Sequence, residues 1–263
     1  MADTWRFIDT GLCGASYNMA LDEAIATTVK KGNSPPALRL YGWNIPSVSI
    51  GYFQKVSDIN IDSCLKKGIP IVRRPTGGRA ILHDNEITYS FSARTNAGIF
   101  SKGLFDSYKK ISKAFGLAFS KMGIESELKL QREPLRDKSP LCFQSTSYGE
   151  ITINSEKVIG SAQRRWPDGL LQQGSIPFVL DEDEIADVFR FKPSQTGKKL
   201  KFTGLKNILP DLDIENLKIA IRVSFEETFD IMLIPSSPSH GEVSLAGQLE
   251  VRKYRSHQWN FQR

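Results

Sequence analysis

Apolar side chains recur at helical spacing in three stretches of the chain. Over 104–122, Leu104, Tyr108, Ile111, Phe115, Phe119 and Met122 fall three or four residues apart, which predicts an amphipathic helix closed by Gly123. Its lysines, 109, 110, 113 and 121, lie mostly on the outer side. Over 17–31, "YNMALDEAIATTVKK", Leu21, Ala24, Ile25, Thr28 and Val29 share a face. Asn18 is placed to cap that helix, and Lys30, Lys31 and Gly32 form a stop. A third helix is predicted over 213–230 from Ile214, Leu217, Ile221, Phe225 and Phe229, and a last one over 242–252.

Between the helices the pattern shortens to β-like runs: "ALRLYG" (37–42), "SVSIGYF" (47–53), "IPIVRR" (69–74), "RAILH" (79–83) and "EITYSFSA" (86–93). A polar loop at 131–147 precedes a second group of strands, "EITINS", "KVIGSAQRR" and "GLLQQGSIPF", with turns at Asn154-Ser155 and Pro167-Asp168-Gly169. No repeat or low-complexity tract interrupts the order. Strands and helices mix without strict βαβ alternation. The expected class is α+β, a mixed and mostly antiparallel sheet flanked by helices.

Composition narrows the picture. At 263 residues and 40% apolar content the chain can bury a large core, and residues 1–263 are expected to form a single catalytic domain with no C-terminal accessory domain. The N-terminus lacks the basic-then-apolar order of a signal peptide, and no run approaches the roughly 18 apolar residues of a membrane span. Cys13, Cys64 and Cys142 are widely spaced, and with three histidines they make neither a disulfide framework nor a metal site. A cytoplasmic location follows, with no membrane partner.

The net charge of +6 comes from 35 basic and 29 acidic side chains. No basic helix, zinc finger or RNP-like signature accompanies it, so nucleic acid is not the expected partner. The stretch 190–206, "RFKPSQTGKKLKFTGLK", holds six Lys/Arg and no acid, and it predicts an exposed loop that could dock an acidic partner.

Chemistry concentrates in "RRPTGGRAILH", 73–83. Paired glycines, Gly77 and Gly78, permit a tight turn whose amides can face a ligand, and Arg73, Arg74 and Arg79 supply donors for an anionic or carbonyl-bearing group. His83 either orients a substrate carbonyl or fills a hydrogen bond at the strand end. Asp22 and Glu23 are adjacent, so they face different ways on a helix. Helix-start electrostatics accounts for both. Cys142 lies in the polar loop, a poor place to bury a thiol and a good place to present one. Lys157 opens the strand after the Asn154-Ser155 turn, which lets a hairpin fold its ammonium back toward that loop. Cys13 and Cys64 have no motif nearby and are taken as structural.

"RRPTGGRAILH" followed by "EITYS" resembles the lipoate/biotin–protein ligase and lipoyl-transferase superfamily, and within it the LipM-type octanoyltransferases. "DTGLCGASYNMALDEAI", "LRLYGWNIPSVSIGYFQ", "CFQSTSYGEI", "KVIGSAQRR", "QQGSIPF" and "KYRSHQWN" are similar to family blocks in family order and cover most of the chain. Gln144 and "SYGE" depart from the acidic residue and larger aromatic cluster that the family pattern carries after "CF".

The resemblance implies that Cys142 is an acyl-thioester nucleophile and Lys157 its activator, and that Gly160 and Ser161 join the arginine–glycine segment at the substrate. It implies transfer of octanoate from octanoyl-acyl carrier protein to a lysine of a lipoyl domain, with no cofactor and no metal. The acceptor would be glycine cleavage H protein or a dehydrogenase acyltransferase subunit, and the enzyme is expected to be a monomer. Two alternatives share the fold: an ATP-dependent lipoate–protein ligase acting through an acyl-adenylate, and an amidotransferase working between lipoyl domains. A non-catalytic acyl-carrier or nucleic-acid binding module is disfavoured by the Cys/Lys pair.

Overall fold

The structure, a computed structural model, describes residues 3–96, 98–129, 149–191 and 202–262. Strand β1 (Asp3–Cys13) leads into helix α1 (Ala15–Lys30), which returns the chain so that β2 (Ala37–Trp43) pairs with β1 in parallel. There follow β3 (Ser47–Ile50), helix α2 (Ile61–Lys66), β4 (Ile71–Arg73), β5 (Ile81–His83) and β6 (Glu86–Arg94). Helix α3 (Leu104–Lys121) then precedes β7 (Glu127–Lys129), β8 (Glu150–Ile153), β9 (Glu156–Lys157), β10 (Gly160–Arg165) and β11 (Gly169–Pro177). The chain ends with α4 (Glu182–Val188), α5 (Ile214–Phe229), β12 (Ile231–Pro235), α6 (His240–Leu249) and α7 (His257–Asn260).

A six-stranded sheet runs in the order β10-β11-β6-β2-β1-β12, beside two three-stranded sheets, β4-β3-β5 and β7-β8-β9. Among the described residues, six of the nine strand pairs are antiparallel and three parallel, the mixed, mostly antiparallel arrangement expected for the α+β class. The strand period of two assigns the two faces of the main sheet. Leu38, Leu40, Tyr89 and Phe91 face one way and pack with Phe115 of α3 and Phe225 of α5. Ala37 and Tyr41 face the other way, with Ile8, and pack with Leu21, Ile25 and Val29 of α1. The small sheet β4-β3-β5 has its own core of Val48, Ile50, Cys64, Ile185 and Val188, shared with α2 and α4. No helix among the described residues is long and apolar enough to cross a membrane.

The predicted helices over 104–122 and 213–230 match α3 and α5, and Gly123 takes φ +75° where α3 stops. Other elements depart from expectation. Helix α1 begins at Ala15 with Gly14 in the N-cap position, and Asn18 is buried one turn inside it, donating to the carbonyls of Cys13 (3.3 Å) and Gly42 (3.0 Å) instead of capping. Cys64 sits buried within α2, which is capped by Asn60. The last helix starts at His240 with a Ser239–Glu242 capping box and widens into a π-helical turn over Glu250–Tyr254. "KVIGSAQRR" is not one strand. Residues 156–157 pair with β8, whereas 160–165 pair with β11, so the chain changes sheets across Val158 and Ile159. Both residues are buried in the main core, so the apolar pattern runs on through the switch.

Candidate active site

Between the main sheet and the small sheet lies a cleft of about 320 Å³, mouth included. Tyr41, Trp43, Thr88, Ala162, Gln173 and Ser175 form its main-sheet side; Ser49, Arg74, Ile81 and His83 form the opposite wall, and Met19 of α1 contributes an apolar surface. Gly160, Ser161 and Gly174 complete the lining. At Gly174 any Cβ would overlap the Tyr89 ring, so glycine is what allows the sheet and that ring to meet there. Apolar walls with a few convergent polar groups suit an aliphatic chain ending in a carbonyl.

The polar wall is a connected series. Arg74 Nη1 donates to Ser49 Oγ (3.0 Å), which lies 2.7 Å from His83 Nε2. On the far side of the ring, Nδ1 meets Glu86 Oε1 at 2.8 Å; a carboxylate only accepts, so Nδ1 carries the proton. Trp43 stacks on His83 with centroids 4.0 Å apart, and its Nε1 donates to Thr88 Oγ1 at 2.7 Å. Thr88 donates to Glu86 Oε1, and Ser175 donates to Oε2 at 2.5 Å. Burial alone pushes the Glu86 carboxyl up, but His83, Ser175 and Thr88 outweigh it and hold the group below the ordinary carboxylate range. His83 therefore has both ring nitrogens engaged while its face borders the cleft.

Beneath the cleft Asp22 is wholly buried and accepts four hydrogen bonds. Arg39 Nη1 and Ser90 Oγ reach Oδ1 at 2.6 Å each, while Tyr41 OH (2.8 Å) and Gln173 Nε2 (2.7 Å) reach Oδ2. Since Nε2 of Gln173 is committed to Asp22, its Oε1 is turned to accept from Thr76 Oγ1 at 2.8 Å. Helix-start electrostatics was the wrong account of Asp22. The residue ties α1, β2, β6 and β11 together and, through Gln173, reaches the Thr76–Gly78 turn. Its neighbour Glu23 bonds Lys253 (2.7 Å) and the hydroxyl of the buried Tyr254, both in the π-helical turn that follows α6.

Of the residues singled out in "RRPTGGR", Arg74 lines the cleft together with His83, Gly160 and Ser161. Arg74 also donates to the carbonyls of Ser49, Gly77 and Arg79, folding the turn onto itself. Arg73 is fully buried outside the cleft lining. Its guanidinium donates to the carbonyls of Gly51, Tyr52, Gln54, Trp259 and Asn260, joining the 51–54 loop to the C-terminal segment. Gly77 is half-buried and Gly78 exposed with φ +82°. A Cβ at Gly51 would overlap the Gly78 carbonyl, so the two backbones touch directly. Arg79 is half-buried, with Nη1 shielded from solvent and without an acceptor among the described residues. On the other face of β10, Ser161 Oγ lies 2.7 Å from Tyr89 OH, whose ionisation burial pushes up to about 12 against the opposing bonds from Ser161 and Gln172.

Cys142, and the whole loop predicted to carry it, lie outside the described residues, as does most of the basic stretch 190–206. Lys157 is described. The Asn154-Ser155 turn has φ +50° and +66°, the two successive positive values of a tight hairpin turn, and it brings β9 back along β8 as expected. The Lys157 side chain is buried and its Nζ donates to Glu150 Oε1 at 2.5 Å. Glu150, Glu86 and Gln173 were not anticipated as site residues. Glu86, three residues after His83, was the most accessible of them to a spacing argument.

Residues 14–226 match the family described as the lipoyl protein ligase A/B catalytic domain. Among curated proteins, the chain is 37% identical to "Octanoyltransferase LipM" of Carboxydothermus hydrogenoformans, covering 98% of this chain and 99% of the relative. It is 34% identical to the protein of the same name from Bacillus subtilis, over 99% of both. The fold is similar to a lipoate-protein ligase A solved with ATP (TM-score 0.82, 22% identity, 99% of both chains). It is also similar to a bi-partite lipoate protein ligase from Thermoplasma acidophilum (TM-score 0.83, 22% identity, 98% of this chain and 96% of that one). With four-fifths of its length matched by the family and full-length relatives above 30% identity, the chain belongs to the lipoyl protein ligase A/B catalytic-domain family.

Proposed function

We propose that this chain is an octanoyltransferase of lipoate biosynthesis, an acyltransferase that takes octanoate from octanoyl-acyl carrier protein and delivers it to a lysine of a lipoyl domain. The observation that carries this is the full-length likeness, at 34–37% identity, to proteins named octanoyltransferase. The acceptor would be glycine cleavage H protein or a dehydrogenase acyltransferase subunit. Residues 1–263 act as one catalytic domain, monomeric and cytoplasmic.

The reaction has two steps. The Cys142 thiolate attacks the donor thioester, forming octanoyl-enzyme and releasing the carrier thiol; the acceptor amine then attacks, forming an amide and regenerating the thiol. Thioester exchange is nearly balanced and thioester-to-amide conversion runs downhill, so no nucleotide is needed. Lys157 supplies the cation that favours the thiolate. The cleft's apolar walls receive the octanoyl chain, and at about 0.8 kcal/mol per buried methylene that chain contributes several kcal/mol of affinity. Gly77 and Gly78 amides, with Arg74, Arg79, His83, Gly160 and Ser161 around them, receive the carbonyl end. Arg73 holds the backbone of this binding segment in place.

The test mixes pure protein with octanoyl-acyl carrier protein, with and without an apo lipoyl domain and ATP. Incubation with the donor alone should add one octanoyl mass, labile to hydroxylamine and mapping to Cys142, and the acceptor should be modified without ATP. Product formed only with ATP and free octanoate would replace transfer by ligation.

A further inference from the structure

The β8–β9 hairpin carries a buried charge pair whose two members are fixed by different means. Glu150 follows Gly149, whose backbone is clamped on both sides: its N–H donates to Lys129 O at 2.7 Å and its carbonyl accepts from Ser112 Oγ at 2.5 Å. Gly149 has φ +82°, and a Cβ there would press on the Tyr108 ring at 2.8 Å, so α3 packs straight onto this point. Lys157 is fixed by the tight turn and by its carbonyl, which accepts from Thr203 N at 3.2 Å.

Register puts Thr152 directly opposite Lys157, and Glu150, two residues earlier, falls on the same face. All three are at most 4% exposed, and Glu150 and Lys157 meet at 2.5 Å. Among the described residues the Thr152 hydroxyl has no hydrogen-bond partner. Glu127 and Lys129 of β7 pair with each other at 2.6 Å at the exposed edge, and Glu156, adjacent to Lys157, points to the opposite face. Among the described residues, α3 brings Tyr108 close to Gly149, and residues 202–203 carry no titratable side chain.

An ammonium removed from water at this depth loses its charge unless a counter-ion stays in contact. We propose that Glu150 is a positioning residue for acyl transfer, holding Lys157 charged and in one place so that the lysine acts as a standing cation and not as a proton shuttle. This rests on the reading of Lys157 given under the proposed function. No bond is made or broken by Glu150 itself.

The experiment compares unaltered protein, Glu150→Gln, Glu150→Asp, Lys157→Met and the Glu150→Gln/Lys157→Met double variant. Lysine 13Cε NMR, assigned by loss of one signal in Lys157→Met, follows the charge of Lys157 against pH without any substrate. In Glu150→Gln that signal should reach its neutral-amine position about one pH unit or more earlier than in unaltered protein, with Glu150→Asp between them. The alkaline limb of the acyl-transfer profile should move the same way, with kcat at pH 8.5 down roughly tenfold and KM for the donor little changed. The double variant should be no slower than Lys157→Met. An unmoved lysine signal in both Glu150 variants overturns the proposal, whatever activity does. A moved signal with an unmoved rate profile overturns the positioning role. Full transfer by Lys157→Met strikes instead at the functional reading of the lysine and leaves the charge pair measurable by NMR.

Discussion

Two buried carboxylates occupy different parts of this molecule, and they are built differently. Asp22 gathers partners from 17, 19, 68 and 151 residues away, and each carboxylate oxygen takes two donors. Glu150 meets a lysine seven residues along, within one hairpin. The first arrangement cannot exist until α1 and three strands have docked; the second is set by a turn and a register. A long-range network that fills both oxygens of Asp22 belongs to the frame, whereas the Glu150–Lys157 contact is made inside one hairpin.

Breaking the frame should have the largest effect. Asp22→Ala strands the fully buried Arg39 guanidinium and removes the anchor of Gln173, so urea unfolding should show a loss of about 3–5 kcal/mol. A loss below about 1 kcal/mol would mean that the two carboxylates are not different in kind.

The hairpin pair should behave oppositely in the same assay. Glu150→Gln with Lys157→Met replaces both charges by groups of similar size, and such double replacements of buried pairs are often neutral. Stability should stay within about 1 kcal/mol while octanoyl transfer falls by roughly 10²–10³. A double variant as unstable as Asp22→Ala would place the pair in the frame.

A third carboxylate sharpens the contrast by a smaller amount. Glu242 of α6 accepts from both Nη atoms of Arg6 at 2.7 and 2.9 Å and from Thr28 at 2.6 Å. Burial pushes its carboxyl up, but Arg6, Thr28 and the Ser239 backbone prevail and hold it at about 2, against an ordinary 4.5. A folded-state value below the unfolded one gives stability that is complete above pH 4.5 and lost as pH falls toward 2. Arg6→Met should flatten that acid slope and cost about 1 kcal/mol at pH 7, read by urea unfolding across a pH series.

Much of this architecture was legible because its signals are periodic or local. The spacing of Ile111, Phe115 and Phe119 marks α3, and Asn154-Ser155 marks the hairpin that sets Lys157 against β8. "RRPTGGRAILH" was legible as a tight turn rich in donors, yet the tasks of its arginines were not. Arg73 donates to the backbone carbonyls of Gly51 and Asn260, and Arg74 to that of Ser49, all far off in sequence, which spacing cannot show. Asp22 was misread for the same reason, since a carboxylate in the first half of a helix has an ordinary explanation until Arg39 and Gln173 arrive. The sheet change across Val158 and Ile159 was invisible because both residues stay apolar and buried on either side of it.

That sheet change also works as a tether. Three peptide units separate the Cα atoms of Lys157 and Gly160, a span of at most about 10–11 Å even when fully stretched. One end bears the cation of the hairpin, the other lines the cleft, and Val158 and Ile159 between them are gripped by the main core. The backbone that carries the ammonium and the backbone that lines the cleft are therefore bound to move together. A single inserted residue at this link would add more than 3 Å of slack and turn the strand's inward side chains outward, so the reach from hairpin to cleft is written into the length of the chain itself.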